Sequence, residues 1–449
     1  MAKQIQWSSR TAFIFAAAAA AVGLGNIWRF PYLAGQNGGG AFVLTYLFFV
    51  LLLGLPLMIS EVMIGRLGRK NPAGSMKAVA KLAGRSPHWK WLGGMTVLAS
   101  FLILSYYTVI SGWVLDYFIR AISGHFQHFT RASAAPEFQS LQSHHLRVLA
   151  DDTLIVLISI GVIMLGIKDG LERTVMLMFP ALMVIMLILL VHAATTSHFH
   201  QAFLFLFSPD FHSLTAKGVL TALGQAFFSL NIAMGIIIMF SAYMPNKVPI
   251  VSSSIVIVIA DTVIALLAGL IIFPVVFSNN LPPTAGPSLI FETLPIAFSN
   301  IPFGYPIGAL FFLLLLFAAF TSCIALLEVT VAWLMETFKT HRRRAVIFAG
   351  IILWILSIGT VYSFSHPSYV SFHGITFFKF IDFITAGIML PVGGMMVAIF
   401  TGWCLPKKFI HDKLGWPMQG VWMNCWRFIK RYVAPVAIGC ILLTSLGII

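Results

Sequence analysis

Charge is scarce in this chain. Asp, Glu, Lys and Arg make up 9% of its 449 residues, against about a quarter in a soluble domain, and that excludes an ordinary soluble fold. Cysteine is nearly missing: Cys323, Cys404, Cys425 and Cys440 show no CxxC spacing, which argues against a disulfide framework or a zinc site. His125, His128, His144, His145, His198 and His200 fall between apolar runs but repeat no ligand spacing, so they read as solvated side chains rather than a metal centre. No HExxH, GxSxG or Cys–His arrangement occurs in the apolar runs, and nothing points to a membrane-embedded hydrolase. The chain reads as a non-enzyme.

What it has in abundance is apolar sequence: 59% of residues are hydrophobic and the mean hydropathy is +0.93. Runs of the length that crosses a bilayer as a helix fall near 11–35, 41–64, 91–120, 152–169, 173–195, 218–243, 250–277, 306–337, 345–364, 377–404 and 431–448. The pattern predicts an all-α polytopic membrane protein of about eleven spans, a single transmembrane domain over 1–449. The first run lacks a small-residue cleavage site and is read as a retained span. The net charge of +14 is unevenly placed. With the N-terminus in the cytoplasm, 22 of the 28 Lys and Arg fall on one side, leaving Arg29, Arg120, Arg131, Arg147, Lys217 and Lys379 on the other. This is the positive-inside asymmetry. It makes anionic lipid, not nucleic acid, the partner of the basic face and puts the C-terminus outside. The stretch 278–305, with LPPTAGPS and Glu292, is placed to fold back over the mouth of a pathway.

Two spans are interrupted. AVGLGNIWRFP (21–31) puts two glycines, Asn26 and Arg29 into the first, and FFSLNIAMG (227–235) puts a polar group into the sixth. They open consecutive blocks of five spans, and an odd count forces the blocks into opposite orientations. Such paired interruptions mark the midplane site of an inverted-repeat transporter, here with repeats at about 8–200 and 215–405 and an extra C-terminal helix at about 431–448. Backbone cannot stay unpaired in lipid, so a broken helix must line a cavity or bind something. Freed carbonyls suit a hard cation, and N–H groups at a half-helix start suit a carboxylate. A glycine-rich packing face accounts for Gly23 and Gly25 but not for Asn26 and Arg29.

GLGNIWRFPYLAGQNGGGAF (23–42), GLPLMISEVMIGR (54–66), SYYTVISGW (105–113), GQAFFSL (224–230) and FAAFTSCIALLE (317–328) resemble, in order and across the whole chain, the neurotransmitter:sodium symporter family. The resemblance implies the inverted five-plus-five arrangement of the leucine-transporter fold, with helices 1 and 6 broken, and Na⁺-driven uptake of amino acids or their derivatives. It implies two sodium sites. The first uses Ala21, Asn26, Ser229 and Asp261 with the substrate carboxylate; the second uses the carbonyls of Ala19, Val22 and Ala318 with the hydroxyls of Thr321 and Ser322. Taken alone, Thr321 and Ser322 would read as hydroxyls bonded back to their own helix.

Asp261 is a lone acid in an apolar span, which must protonate or hold a cation. Many relatives carry asparagine there. Chloride-dependent members place an anion among positions matching Tyr46, Gln225, Ser229, Asp261 and Ala265, so Asp261 is expected to supply that negative charge and remove any chloride requirement. The resemblance places substrate among Ala20, Ala21, Leu24, Gly25, Ile103, Tyr107, Phe228, Ser229, Met234, Ser322 and Leu326. Gly23 stands where monoamine carriers have an acid, which favours an α-amino acid, and the apolar lining favours a hydrophobic or aromatic one. Arg29 and Asp382 match the outer gate, with Phe228 as lid; Trp7, Tyr243 and Glu336 match the inner one. Gln4 replaces an arginine usual before the tryptophan, with Lys3 as its only near substitute. Gly170 and Pro180 match a spacing that permits unwinding in span five.

Asn231 and Ala233 depart from a small hydroxyl residue and a glycine, and Asn231 is added to the substrate set as a polar group. The expected movement is of spans 1, 2, 6 and 7 against 3, 4, 8 and 9. The rival readings are a non-transporting amino-acid sensor on the same fold and a proton-coupled carrier titrating at Asp261. A prokaryotic inner membrane and a monomer or weak homodimer complete the expectations.

Overall fold

Lipid cannot hydrogen-bond a backbone, so the chain satisfies its own amides in helices. The computed structural model describes residues 6–280, 289–301, 303–372 and 374–448; the calls on Lys3, Gln4 and LPPTAGPS lie outside them. Among the described residues, eight helices are long and apolar enough to cross a membrane: Gly40–Gly68, Pro87–Ile122, Ile167–Ala194, Ile250–Ser278, Gly304–Phe338, Arg342–Ser365, Phe377–Cys404 and Val421–Ser445. A ninth span is the pair Arg10–Ala21 and Gly25–Gln36, bent by 51°. His145–Met164 and the broken pair Ala216–Ser229 and Ile236–Ala242 complete eleven. The only strands described are the two-residue pair Ser371–Phe372 and Ile375–Thr376. Below, the spans keep these positions in chain order, and the face holding the N-terminus is the N-terminal face.

Spans 3 and 8 form the most extensive helix pair and, with span 9 and span 4, a packed scaffold. Span 1 lies between span 7 and span 8, and span 6 between span 2 and that scaffold. The broken helices therefore sit at the centre of the bundle. Leu44, Phe48, Leu51, Leu157, Leu177, Val191, Ile259 and Phe348 are exposed around the outside, as a lipid-facing surface requires.

Three boundaries differ from expectation for identifiable reasons. Span 4 begins at His145 and carries Asp151 and Asp152 inside it, because Gly112 of span 3 lets the two backbones close in: a Cβ there would lie 3.1 Å from the Asp152 nitrogen. Span 11 begins at Val421, ten residues before the apolar run. Its cations are tied to the end of span 10: Arg427 donates to the Leu405 carbonyl at 3.0 Å and Arg431 to Gly402 at 2.8 Å, where helix-terminal carbonyls favour positive charge. Lys430 is fully buried, donating to Thr401 Oγ1 at 2.8 Å and to Ser60 Oγ, so it belongs to the span and not to a loop. Span 5 is helical through Gly170 and Pro180; Gly170 has no room for a Cβ, which would strike the Val162 carbonyl at 2.0 Å.

Candidate functional site

The first break is short. Ala21 ends its half-helix, Val22 is extended at φ −72° and ψ 90°, and the helix resumes at Gly25. The second is longer and lies at 230–235, later than the polar run suggests, because the helix continues to Ser229. Its residues Asn231 (φ 52°), Ala233 (φ 65°) and Gly235 (φ 73°) are left-handed, a conformation asparagine and glycine tolerate and alanine does not. The two departures noted in the sequence are thus the residues that turn the chain. Ala233→Gly is expected to raise stability by about 0.5–1 kcal/mol by relieving that conformation, read as a small rise in melting temperature.

Both breaks are pinned from neighbouring spans. The Ala233 N–H donates to Glu61 Oε1 at 2.8 Å, and Asn231 Nδ2 donates to the Ala20 carbonyl at 2.6 Å. Glu61 was missed as a site residue, although it gives the same signal as Asp261, an isolated acid in an apolar run. The Leu24 N–H donates to Tyr107 Oη at 3.1 Å, and Gln225 Nε2 to the Gly25 carbonyl at 2.9 Å.

Between the breaks lies a small cavity, lined by Ala21, Gly23, Gly25, Asn26, Ile103, Tyr107, Phe228, Ser229, Asn231, Met234, Ile236, Ser322 and Leu326. Ten of the twelve predicted substrate residues line it directly, and Ala20 and Leu24 meet it through the backbone bonds just given. Gly23 has a specific steric reason: a Cβ there would lie 2.7 Å from both Ser322 Oγ and Tyr107 Oη.

The predicted cation ligands divide into two groups. Asn26 Nδ2 donates to Asp261 Oδ1 at 2.8 Å and to the Asp261 carbonyl at 3.1 Å. Tyr46 Oη and Ser229 Oγ stand 3.3 Å apart beside them. Asn26 Oδ1, Asp261 Oδ2 and Gln225 Oε1 are buried without a partner, which is costly in an apolar interior unless a cation or donor meets them. In the second group, Thr321 Oγ1 lies 2.9 Å from the Ala19 carbonyl and 3.1 Å from that of Ala318, and Ser322 Oγ lies 3.2 Å from the Ala20 carbonyl and 3.2 Å from that of Ala318. Val22 is fully buried next to them. Oxygen-only sets of this kind suit a hard cation.

The two ends of the pathway differ. On the N-terminal face, Trp7 donates from its backbone N–H to the Tyr243 carbonyl at 3.0 Å and from Nε1 to the Phe240 carbonyl at 2.8 Å. Tyr243 Oη donates to Glu328 Oε1 at 3.0 Å, and Arg342 forks onto the same carboxylate. Glu336 also lies near Tyr243, and it accepts from the Asn71 N–H at 2.8 Å and Asn71 Nδ2 at 2.6 Å, anchoring the start of helix Pro72–Leu82. Glu328, two helical turns deeper on the same span, is the acid that Tyr243 bonds directly. Its partner Arg342 was read only as part of a basic loop. Glu328→Gln is expected to cost about 3 kcal/mol by leaving the Arg342 guanidinium without its carboxylate. The double variant with Arg342→Gln should recover part of that loss of melting temperature.

On the opposite face, a vestibule is lined by Trp28, Arg29, Tyr106, Trp113, Phe138 and Asp382 among others, down to Phe228. The Arg29 guanidinium lies 4.6 Å over the Phe228 ring, and no ion pair joins it to Asp382 among the described residues. Phe291 of the segment Leu289–Ser299 packs on Trp28, Trp113 and Phe138 at the rim. Among the described residues, the N-terminal face is held by these bonds, and the vestibule lies on the opposite face, above Phe228.

The chain matches the sodium:neurotransmitter symporter family over residues 4–134 and 128–447. It belongs to that family. A relative from Bacillus subtilis (strain 168), named the uncharacterized sodium-dependent transporter YhdH, is 34% identical over 100% of this chain and 99% of its own. A sodium-dependent transporter from Haemophilus influenzae is 32% identical over 98% of both chains, and the dopamine transporter of Bos taurus is 25% identical over 94% of this chain and 67% of its own. Among solved structures, MhsT in complex with L-phenylalanine superposes with a TM-score of 0.89 at 37% identity, over 99% of this chain and 100% of that one. The chain is a multi-pass sodium-dependent transporter with the fold of that family.

Proposed function

We propose that this protein imports an α-amino acid with a hydrophobic or aromatic side chain, coupled to Na⁺ and independent of chloride. The observation that carries the reading is the group of unpartnered buried oxygens at the first break, Asn26 Oδ1 and Asp261 Oδ2, beside a cavity whose far wall is Ile103, Met234 and Leu326. A sodium ion neutralises the Asp261 carboxylate, and a second is held by Ala19, Val22, Ala318, Thr321 and Ser322. The Leu24 N–H and Tyr107 hydroxyl meet the substrate carboxylate. The likeness to a protein solved with L-phenylalanine supports the side-chain class. With Asp261 as the fixed negative charge, no anion is needed at Tyr46, Gln225 and Ser229.

Transport alternates access: approach of Arg29 and Asp382 closes the vestibule over Phe228, and release of the Trp7–Tyr243–Glu328–Arg342 latch opens the N-terminal face. That face is cytoplasmic, in a bacterial inner membrane, with the C-terminus outside. The test is the melting temperature of the purified protein with each of the twenty amino acids in NaCl, sodium gluconate and KCl, since ligands of the native state raise it by mass action. A rise with apolar or aromatic amino acids in both sodium salts, and none in KCl, is expected. A rise that needs chloride removes the role given to Asp261, and one that is indifferent to sodium but follows pH favours proton coupling.

A further inference from the structure

A second lone carboxylate is buried in the scaffold, away from both breaks. Asp152 of span 4 is 0% exposed. Its Oδ2 accepts from Ser357 Oγ of span 9 at 2.6 Å, and its Oδ1 has no partner. The Thr108 hydroxyl of span 3, also fully buried, faces the same carboxylate. Thr360, one turn beyond Ser357 on span 9, is a third fully buried residue whose hydroxyl has no partner. No Lys or Arg forms an ion pair with Asp152 among the described residues; Arg120 and Arg147 pair with Asp116, and Arg120 also with Glu137.

This is the same signature that marks Asp261: a carboxylate oxygen and neighbouring neutral oxygens, all buried, with no counter-charge. We propose that Asp152, Thr108, Ser357 and Thr360 form a monovalent-cation site, Na⁺ or K⁺, in the scaffold between spans 3, 4 and 9. Two carboxylate oxygens and three hydroxyls give five oxygen ligands, and a single carboxylate balances a single positive charge. Ser357 can turn its proton away from Asp152, because its hydroxyl also lies 2.8 Å from the Trp354 carbonyl; its oxygen is then free to face a cation. Thr108 is the residue after Tyr107, and Ser111 on the same helix bonds back to the Tyr107 carbonyl at 2.7 Å while touching Cys323, the neighbour of Ser322. An ion here would stiffen the wall behind the central cavity without entering it. The proposal is independent of the transported substrate.

The test is equilibrium binding of ²²Na⁺ and ⁸⁶Rb⁺ (for K⁺) to the purified full-length protein without amino acid, for the wild type, Asp152→Asn, Asp261→Asn and Thr360→Val. Asp152→Asn is expected to bind one fewer cation per chain, with the choice of isotope identifying the ion. Asp261→Asn should keep that cation, so failure of the central site and of this one are distinguishable. Thr360→Val preserves shape and carboxylate and should weaken the scaffold ion about tenfold (~1.4 kcal/mol), which keeps the test informative if Asp152→Asn does not fold. An unchanged number of bound cations and unchanged affinity in both scaffold variants would overturn the proposal and leave Asp152 a protonated, hydrogen-bonded core group.

Discussion

Gly23→Ala abolishes amino-acid uptake while the protein still folds. The added methyl would sit 2.7 Å from Ser322 Oγ and 2.7 Å from Tyr107 Oη, well inside contact distance, and both oxygens belong to the cavity wall. Overpacking of this kind costs about 1–3 kcal/mol in stability, which a membrane bundle of this size tolerates. The cavity is small, so the same displacement removes the space for substrate and moves the hydroxyl that meets the Leu24 N–H. Uptake in proteoliposomes is expected to fall at least ~100-fold, equivalent to ~2.8 kcal/mol, with an unchanged elution profile in detergent. Wild-type uptake by Gly23→Ala would mean that substrate binds elsewhere. An aspartate at 23, the residue type of monoamine carriers, should be worse still, since it puts a larger, charged side chain where even a methyl meets Ser322 and Tyr107.

Asp261→Asn has two opposite effects, one in each salt. In KCl the wild type holds a buried carboxylate with Oδ2 unpartnered and Asn26 Oδ1 unpartnered beside it, a configuration that costs a few kcal/mol in an apolar interior. Asparagine removes the charge while keeping a carbonyl oxygen for Asn26 Nδ2. The variant should therefore melt at the same or a higher temperature than wild type in KCl. In NaCl the order reverses, because the cation loses its charged ligand: sodium affinity should fall about 10- to 100-fold, or ~1.4–2.8 kcal/mol, and the sodium-induced rise should shrink accordingly. Tyr46, Gln225 and Ser229 remain in place, so uptake by the variant should become sensitive to replacement of chloride by gluconate. An unchanged sodium titration would remove Asp261 from the cation site.

Much of the site was legible because its residues depart from an apolar background. Gly23, Asn26 and Arg29 in one span and Asp261 in another are exceptions that lipid does not tolerate without a reason, and the cavity contains or adjoins all of them. The same logic marks Glu61, whereas Asp152 sits beside Asp151 at the edge of its apolar run and reads as a span end. Glu328 and Glu336 could not be separated in this way. They lie on one helix, two turns apart, and only the depth of Tyr243 on a different helix decides which acid it meets.

The sequence by itself determined that the chain spans a membrane about eleven times, that spans 1 and 6 break, and which family it belongs to, because these follow from composition, local interruption and motif order. The tertiary structure decided where the second break lies and that Asn231, Ala233 and Gly235 turn it, since a left-handed dihedral is imposed by what packs around it. It also decided partners separated by long stretches of chain: Leu24 with Tyr107, Asn26 with Asp261, Lys430 with Ser60 and Asp152 with Ser357. A polar residue in an apolar run announces that it must have a partner, but which one is settled only when helices far apart in sequence are brought side by side.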